Sequence, residues 1–117
     1  MKALFFVLND TDKLDEVMTA FVRKNICGAT IIESVGMARI LSNKHLENEI
    51  PFIGSLRAFL SPEREKSNVI FSVIQDEQLN DAVEAIESVV GDLWNKGAGV
   101  VFSIPIDFAK GFFGCGK

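Results

Sequence analysis

Histidine and cysteine are scarce in this chain. There is one histidine, His45, and there are two cysteines, Cys27 and Cys115, in 117 residues. A zinc site wants a close set of thiolate or imidazole ligands, and this inventory does not supply one, so no metal role is expected. Nor does any Cys/His or Ser/His/Asp spacing mark a nucleophilic enzyme. Two cysteines make no disulfide framework; the expectation is a buried or tail thiol in a reducing compartment. Basic residues are outnumbered, 12 Lys and Arg against 16 Asp and Glu, for a net charge of −4 and a pI near 4.9. A nucleic-acid partner wants a basic face, so none is expected, although a small anionic ligand needs only a few local donors. No apolar run approaches the roughly 18 residues of a membrane span. The N-terminus turns acidic at Asp10, too soon for a signal peptide. The expected location is cytoplasmic.

What is abundant is apolar surface, at 48% of residues. A chain of this length fits one domain, residues 1–117. A body this small buries only about two-thirds of its unfolded surface. A high apolar content then hints at a second route to burial, such as oligomerisation.

Periodicity gives the elements. Ala3 to Leu8 is a continuous apolar run closed by Asn9 and Asp10, and reads as a buried strand. Asp10 or Thr11 can cap the helix that follows, with acids in its first turn. Leu14, Val17, Met18, Phe21 and Val22 recur at spacings of three and four, one apolar helix face. Gly28 lies just past the helix end, where a C-terminal turn wants it. Ala29 to Val35 is β-branched and reads as a second strand, and Asn68 to Ile74 as a third. A second amphipathic helix presents Leu79, Ala82, Val83, Ile86, Val89 and Val90 on one face and acids on the other, and Gly91 can end it. Gly99 to Ile106 is a fourth strand; Pro105 makes it an edge strand or ends it.

The order β-α-β-long loop-β-α-β is the ferredoxin-like arrangement, α+β, an antiparallel four-stranded sheet with two helices on one face. Strands one, three and four are apolar at both alternating positions, the pattern of strands buried on both faces. With no further helices to cover the open face, another copy of the protein is the natural cover.

The segment from Met37 to Lys66 is the long loop, a connection of about thirty residues that costs closure entropy and is usually a lid, a binding arm or a disordered linker. Much of it is apolar, including Ile40, Leu41, Phe52 and Leu60. Met37 to Asn48 and Pro51 to Leu60 can each form a short helix. Its surface can serve docking onto a partner, or it can pack on the protein's own assembly. His45, alone in this arm, is expected to be solvated.

Two local constellations suit a phosphate-bearing ligand. One is Thr30, Gly36, Met37 and Arg39 at the end of the second strand. The other is the turn from Asn95 to Val100, where Gly97 and Gly99 allow close backbone approach and Lys96 adds charge. A glycine pair before a strand is more often a plain turn, and an arginine at a strand end is as often a solvated charge.

Together these residues resemble the PII signal-transduction family over roughly residues 1 to 108. The run from Thr30 to Arg39 is similar to that family's strand-to-loop motif of Thr, Glu, Gly, Gly and Arg. Thr30, Glu33, Gly36 and Arg39 match, and Ala38 replaces the second glycine. Asp76 to Ile86 is similar to its second helix, and Lys96 to Pro105 to its glycine-rich turn and fourth strand. The resemblance implies a non-enzymatic homotrimer that binds an adenine nucleotide or related effector in clefts between subunits. It also implies that the long loop, residues 37–66, docks on a partner enzyme, transporter or channel. Thr30, Gly36 and Arg39 would line one wall of the cleft, and Gly97 and Gly99 would give phosphate-facing backbone on the other.

The chain departs from that pattern in specific places. Val100 stands where the family has a lysine, Ile40 where it has a glutamine, and after the fourth strand only Lys110 is basic. There is no tyrosine, so the family's tyrosine modification in the loop cannot occur. A triphosphate needs several compensating cations or donors. The reading is therefore a divergent member with altered ligand choice, for which ATP, ADP, AMP or a cyclic dinucleotide are all candidates. No resident cofactor is implied. Trp94, Phe108, Phe112 and Phe113 can stack on a base or pack at an interface; packing is the expectation for Trp94, and the tail, 108–117, stays open. Two alternatives stand beside this reading. One is a metal-binding trimer similar to the CutA group. The other is a small enzyme on a ferredoxin-like fold, such as an acylphosphatase-like hydrolase. The acidic run after the first strand would repel a phosphate substrate of the latter.

Overall fold

A computed structural model describes residues 1–37, 40 and 66–112. Its regular elements are β1 (Lys2–Leu8), α1 (Leu14–Arg23), β2 (Thr30–Ser34), β3 (Ser67–Ile74), α2 (Leu79–Val90) and β4 (Val100–Pro105). Short 3-10 turns, Thr11–Lys13 and Asp76–Gln78, lead into the two helices. The class is α+β, as the periodicity predicts. Strand ends differ from expectation by a residue or so, which is the usual scatter of such boundaries.

The strands form one antiparallel sheet in the order β2-β3-β1-β4. Alternation along β1 sends Leu4, Phe6 and Leu8 to one face, where Ile70 and Ile74 of β3 join them. Val17 and Phe21 of α1 and Ala82, Ala85 and Ile86 of α2 pack on the same side. Both helices therefore cover one face. Each large side chain fully buried there stabilises the fold by about 1.5–3 kcal/mol. Val22, counted in the apolar stripe of α1, is 57% exposed at its margin.

The end of α1 corrects one expectation. The left-handed residue that stops the helix is Asn25, at φ 61°, and not Gly28. Asn25 N–H donates to the Val22 carbonyl and Ile26 N–H to that of Phe21, at 3.0 and 2.9 Å. Asparagine tolerates this conformation, and Ile26 buries just beyond it, the hydrophobic contact such a stop favours. Gly28 has another use: its carbonyl accepts from the hydroxyl of buried Ser72, which ties the entry of β2 to β3. Gly91 ends α2 as expected, at φ 85°.

The opposite sheet face has no helix among the described residues. Phe71, Phe5 and Phe102 stack across three strands on it, with ring centroids 5.9 and 5.0 Å apart. Ile32, Val100 and Ile104 flank them and stand 50, 58 and 48% exposed.

At the start of the chain, the Met1 ammonium lies 3.0 Å from the Asp76 carboxylate. That hydrogen bond and the positive charge hold Asp76 below the ordinary carboxyl value.

Cys27 corrects a second expectation. It is exposed and disulfide-bonded, not a thiol. The support that a free thiol lent to a reducing compartment falls away with it. Cys115 lies outside the described residues, as do Phe113, His45 and nearly all of the 37–66 arm. No helix among the described residues is long and apolar enough to cross a membrane.

Candidate functional site

Antiparallel pairing brings four strand ends to one edge of the molecule. Ser34 pairs with Ser67, Leu8 with Asn68, and Val7 with Val100. The chain leaves β2 here through Val35, Gly36 and Met37. It returns to the same end through Lys66 and again through the turn that carries Lys96, Gly97 and Gly99. Gly36, Met37, Lys96, Gly97 and Gly99 thus share one end of the sheet. They do not touch. β2 and β4 are opposite edges, three strand spacings or about 14 Å apart. Thr30 lies further down, paired with Phe71 and exposed on the face of the phenylalanine stack. It is four residues, about 13 Å, from the end of β2. Arg39 lies outside the described residues.

Two side chains that sequence reasoning did not single out, Asn9 and Ser67, tie this end together. Asn9 donates from Nδ2 to the Gly97 carbonyl at 3.2 Å and accepts from the Ser67 hydroxyl at 3.2 Å. Asn9 thereby links the starts of β3 and β4 across the end of β1. From sequence, Asn9 shows only as the polar residue that closes a strand. Its signal was its place beside two returning strands, which needs the topology to be seen. At the other edge Lys66 meets Glu33 at 3.5 Å, both well exposed, a pair worth little to stability.

The glycines of the turn have different reasons. Gly99, at φ 128°, would set a Cβ 2.3 Å from the Val7 carbonyl oxygen and 2.8 Å from the Phe6 ring. Its close approach is to β1. Gly97, at φ 82°, faces open space, and so does Gly36. Of the two glycines expected to face a phosphate, only Gly97 has no described atom within 4 Å of where a Cβ would stand; Gly36, expected on the opposite wall, has none either. Trp94 is 95% exposed and so does not pack in this subunit's own core; its backbone N–H donates to the Asp92 carboxylate at 2.9 Å. Phe108 is 76% exposed.

Charge at this end is mixed. Lys66 and Lys96 are cationic, whereas Asp10 and Asp12 sit in the turn just after β1, where Asp10 accepts from the Asp12 N–H at 3.2 Å. Glu33, paired with Lys66, adds a third acid at this end. Met37, 72% exposed, begins a helical turn in which the Ile40 N–H donates to the Gly36 carbonyl at 3.2 Å. Among the described residues no group of three or more His, Cys, Asp or Glu could hold a metal ion. No family model matches the chain, and no curated protein matches it.

Proposed function

We propose that this chain is a non-enzymatic signalling protein of the PII type. In this reading it is a ferredoxin-like subunit of a homotrimer. It binds a small effector, an adenine nucleotide or a cyclic dinucleotide, at the sheet end just described. It reports occupancy to a partner enzyme, transporter or channel through the 37–66 arm. The observation that carries the reading is the gathering of Gly36, Met37, Lys96 and Gly97 at one end of the sheet, with open space in front of both glycines. The strand order β2-β3-β1-β4, with both helices on one face, fits the split βαβ arrangement. The 14 Å between the edges suits a ligand that spans them; the alternative is a cleft between this sheet end and a neighbouring subunit.

In this reading Arg39 adds a third cation to Lys66 and Lys96. A guanidinium can hold a phosphate in a bidentate fork. Losing one charge-assisted bond of that kind costs about 1.5–3 kcal/mol. The test is a thermal-shift screen against AMP, ADP, ATP and cyclic dinucleotides, followed by calorimetric titration with whichever raises the melting point. Arg39→Ala should weaken binding by about ten- to a hundredfold. Gly97→Val should weaken it by filling the open space. Unchanged affinity in Arg39→Ala would move the site elsewhere.

A further inference from the structure

Among the described residues β4 is an edge strand with no partner on its outer side, a place for another strand to pair. The Ile106 N–H donates to the Met1 carbonyl at 3.0 Å, so that backbone position faces β1. Strand N–H groups alternate in direction. Those of Ile104, Phe102 and Val100 therefore face β1 as well, and those of Val101 and Ser103 face away from the sheet. Pro105 belongs to the outward series and has no N–H, which limits pairing at that end. A groove of about 600 Å³ runs between this edge and α2, with Leu4, Leu79, Val83 and Val101 in its floor. Glu84 and Glu87 of α2 stand along it.

We propose that this edge and groove bind an extended segment of a partner protein in which apolar and basic side chains alternate. Backbone pairing with Val101 and Ser103 would add a strand to the sheet. Its side chains on the helix side would meet the groove, where Glu84 and Glu87 favour lysine or arginine. Its side chains on the other side would extend the apolar row of Phe102 and Ile104. Glu84 already accepts from Lys24 at 3.1 Å, and Glu87 from the Leu93 N–H at 2.9 Å. Each uses one carboxylate oxygen in those bonds, and a carboxylate can accept more.

Charge argues against a second copy as the occupant. The sheet's other edge, β2, carries Glu33 on the helix side, opposite Asn68. That acid is already paired with Lys66 at 3.5 Å, and β2 itself carries no basic residue to offer Glu84 and Glu87. Pairing β4 with β4 would set the two acidic rims together. Like charges placed so are unfavourable, whereas a basic strand is attracted.

The test uses the full chain and a fluorophore-labelled synthetic peptide that alternates lysine with valine. Fluorescence anisotropy should show saturable binding, and a peptide that alternates glutamate with valine should not bind. The Glu84→Lys, Glu87→Lys double variant should bind at least about tenfold more weakly. Ser103→Pro removes an outward N–H while leaving the bonds to β1, so the protein should fold with unchanged oligomeric state and lose most of the peptide affinity. Binding that survives Ser103→Pro would mean diffuse charge attraction and would overturn the proposal. A change of oligomeric state in Ser103→Pro would overturn it too, by assigning the edge to contacts between copies.

Discussion

A glycine is a statement about what stands next to it, and the two glycines of the turn before β4 make different statements. At Gly99 a methyl group would collide with the Val7 carbonyl and the Phe6 ring, in a backbone conformation that L-residues avoid. Gly99→Ala should therefore destabilise the fold by about 2–5 kcal/mol, strain and overpacking together. Gly97 has the left-handed conformation but nothing within reach, so Gly97→Ala should cost only about 1–2 kcal/mol. Urea unfolding of both variants measures the difference; equal costs would mean that the turn yields at Gly99. Both glycines read alike in the sequence, as a pair before a strand. Only the neighbouring strand separates them. Asn9 was invisible for the same reason, because its partners are 58 and 88 residues away along the chain.

Elements were easier to read than single residues, because the period of the apolar pattern is a local property. The four strands and two helices follow from runs and spacings of three and four. The stop of α1 did not, because asparagine competes with glycine for the left-handed position and the nearer residue won. Cys27 was misjudged because two cysteines far apart in sequence carry no spacing signal. At this scale one ion pair joins the start of β1 to the turn before α2. The Asp76 carboxyl is held below its ordinary value of about 3.8 by the Met1 ammonium. A depressed carboxyl pKa stabilises the folded state fully above the unfolded value. That contribution fades as pH falls below about 3.8 and through the folded-state pKa. Asp76→Asn should therefore bring the stability curve of the variant closer to that of the wild type as acid is added, and set them apart near neutrality. Thermal melts across that range check the sign. A gap between the two that widens toward low pH would contradict it. The side chain is well exposed, so the effect should shrink with added salt.

At the scale of the molecule, the open sheet face is the feature that asks for company. Its three stacked rings and the aliphatic side chains beside them form an apolar surface with no helix over it among the described residues. A homotrimer that buries this face should scatter light as about three chain masses, within the size range of a closed cyclic assembly. Phe102→Glu should shift the protein toward monomer, because a buried carboxylate without a partner is costly. A wild type that runs as a monomer would remove the basis for this assembly. The apolar second face was legible in the sequence, as strands apolar at both alternating positions. The identity of the cover was not, since periodicity specifies a face and not what lies on it.

The near-complete exposure of Trp94 has an optical consequence. The chain has no tyrosine and no other tryptophan, so this one indole is the main source of its near-ultraviolet emission. Emission from an indole already in water should hardly move when the core melts, and a denaturation curve followed by fluorescence alone would look flat while circular dichroism collapses. The same insensitivity makes Trp94 a clean reporter of other events. A blue shift in the folded protein would signal that something has covered the turn before β4, whether a base stacked on the ring or a neighbouring chain. Dilution would reverse the shift if the cover is another copy, and removal of the nucleotide would reverse it if the cover is ligand.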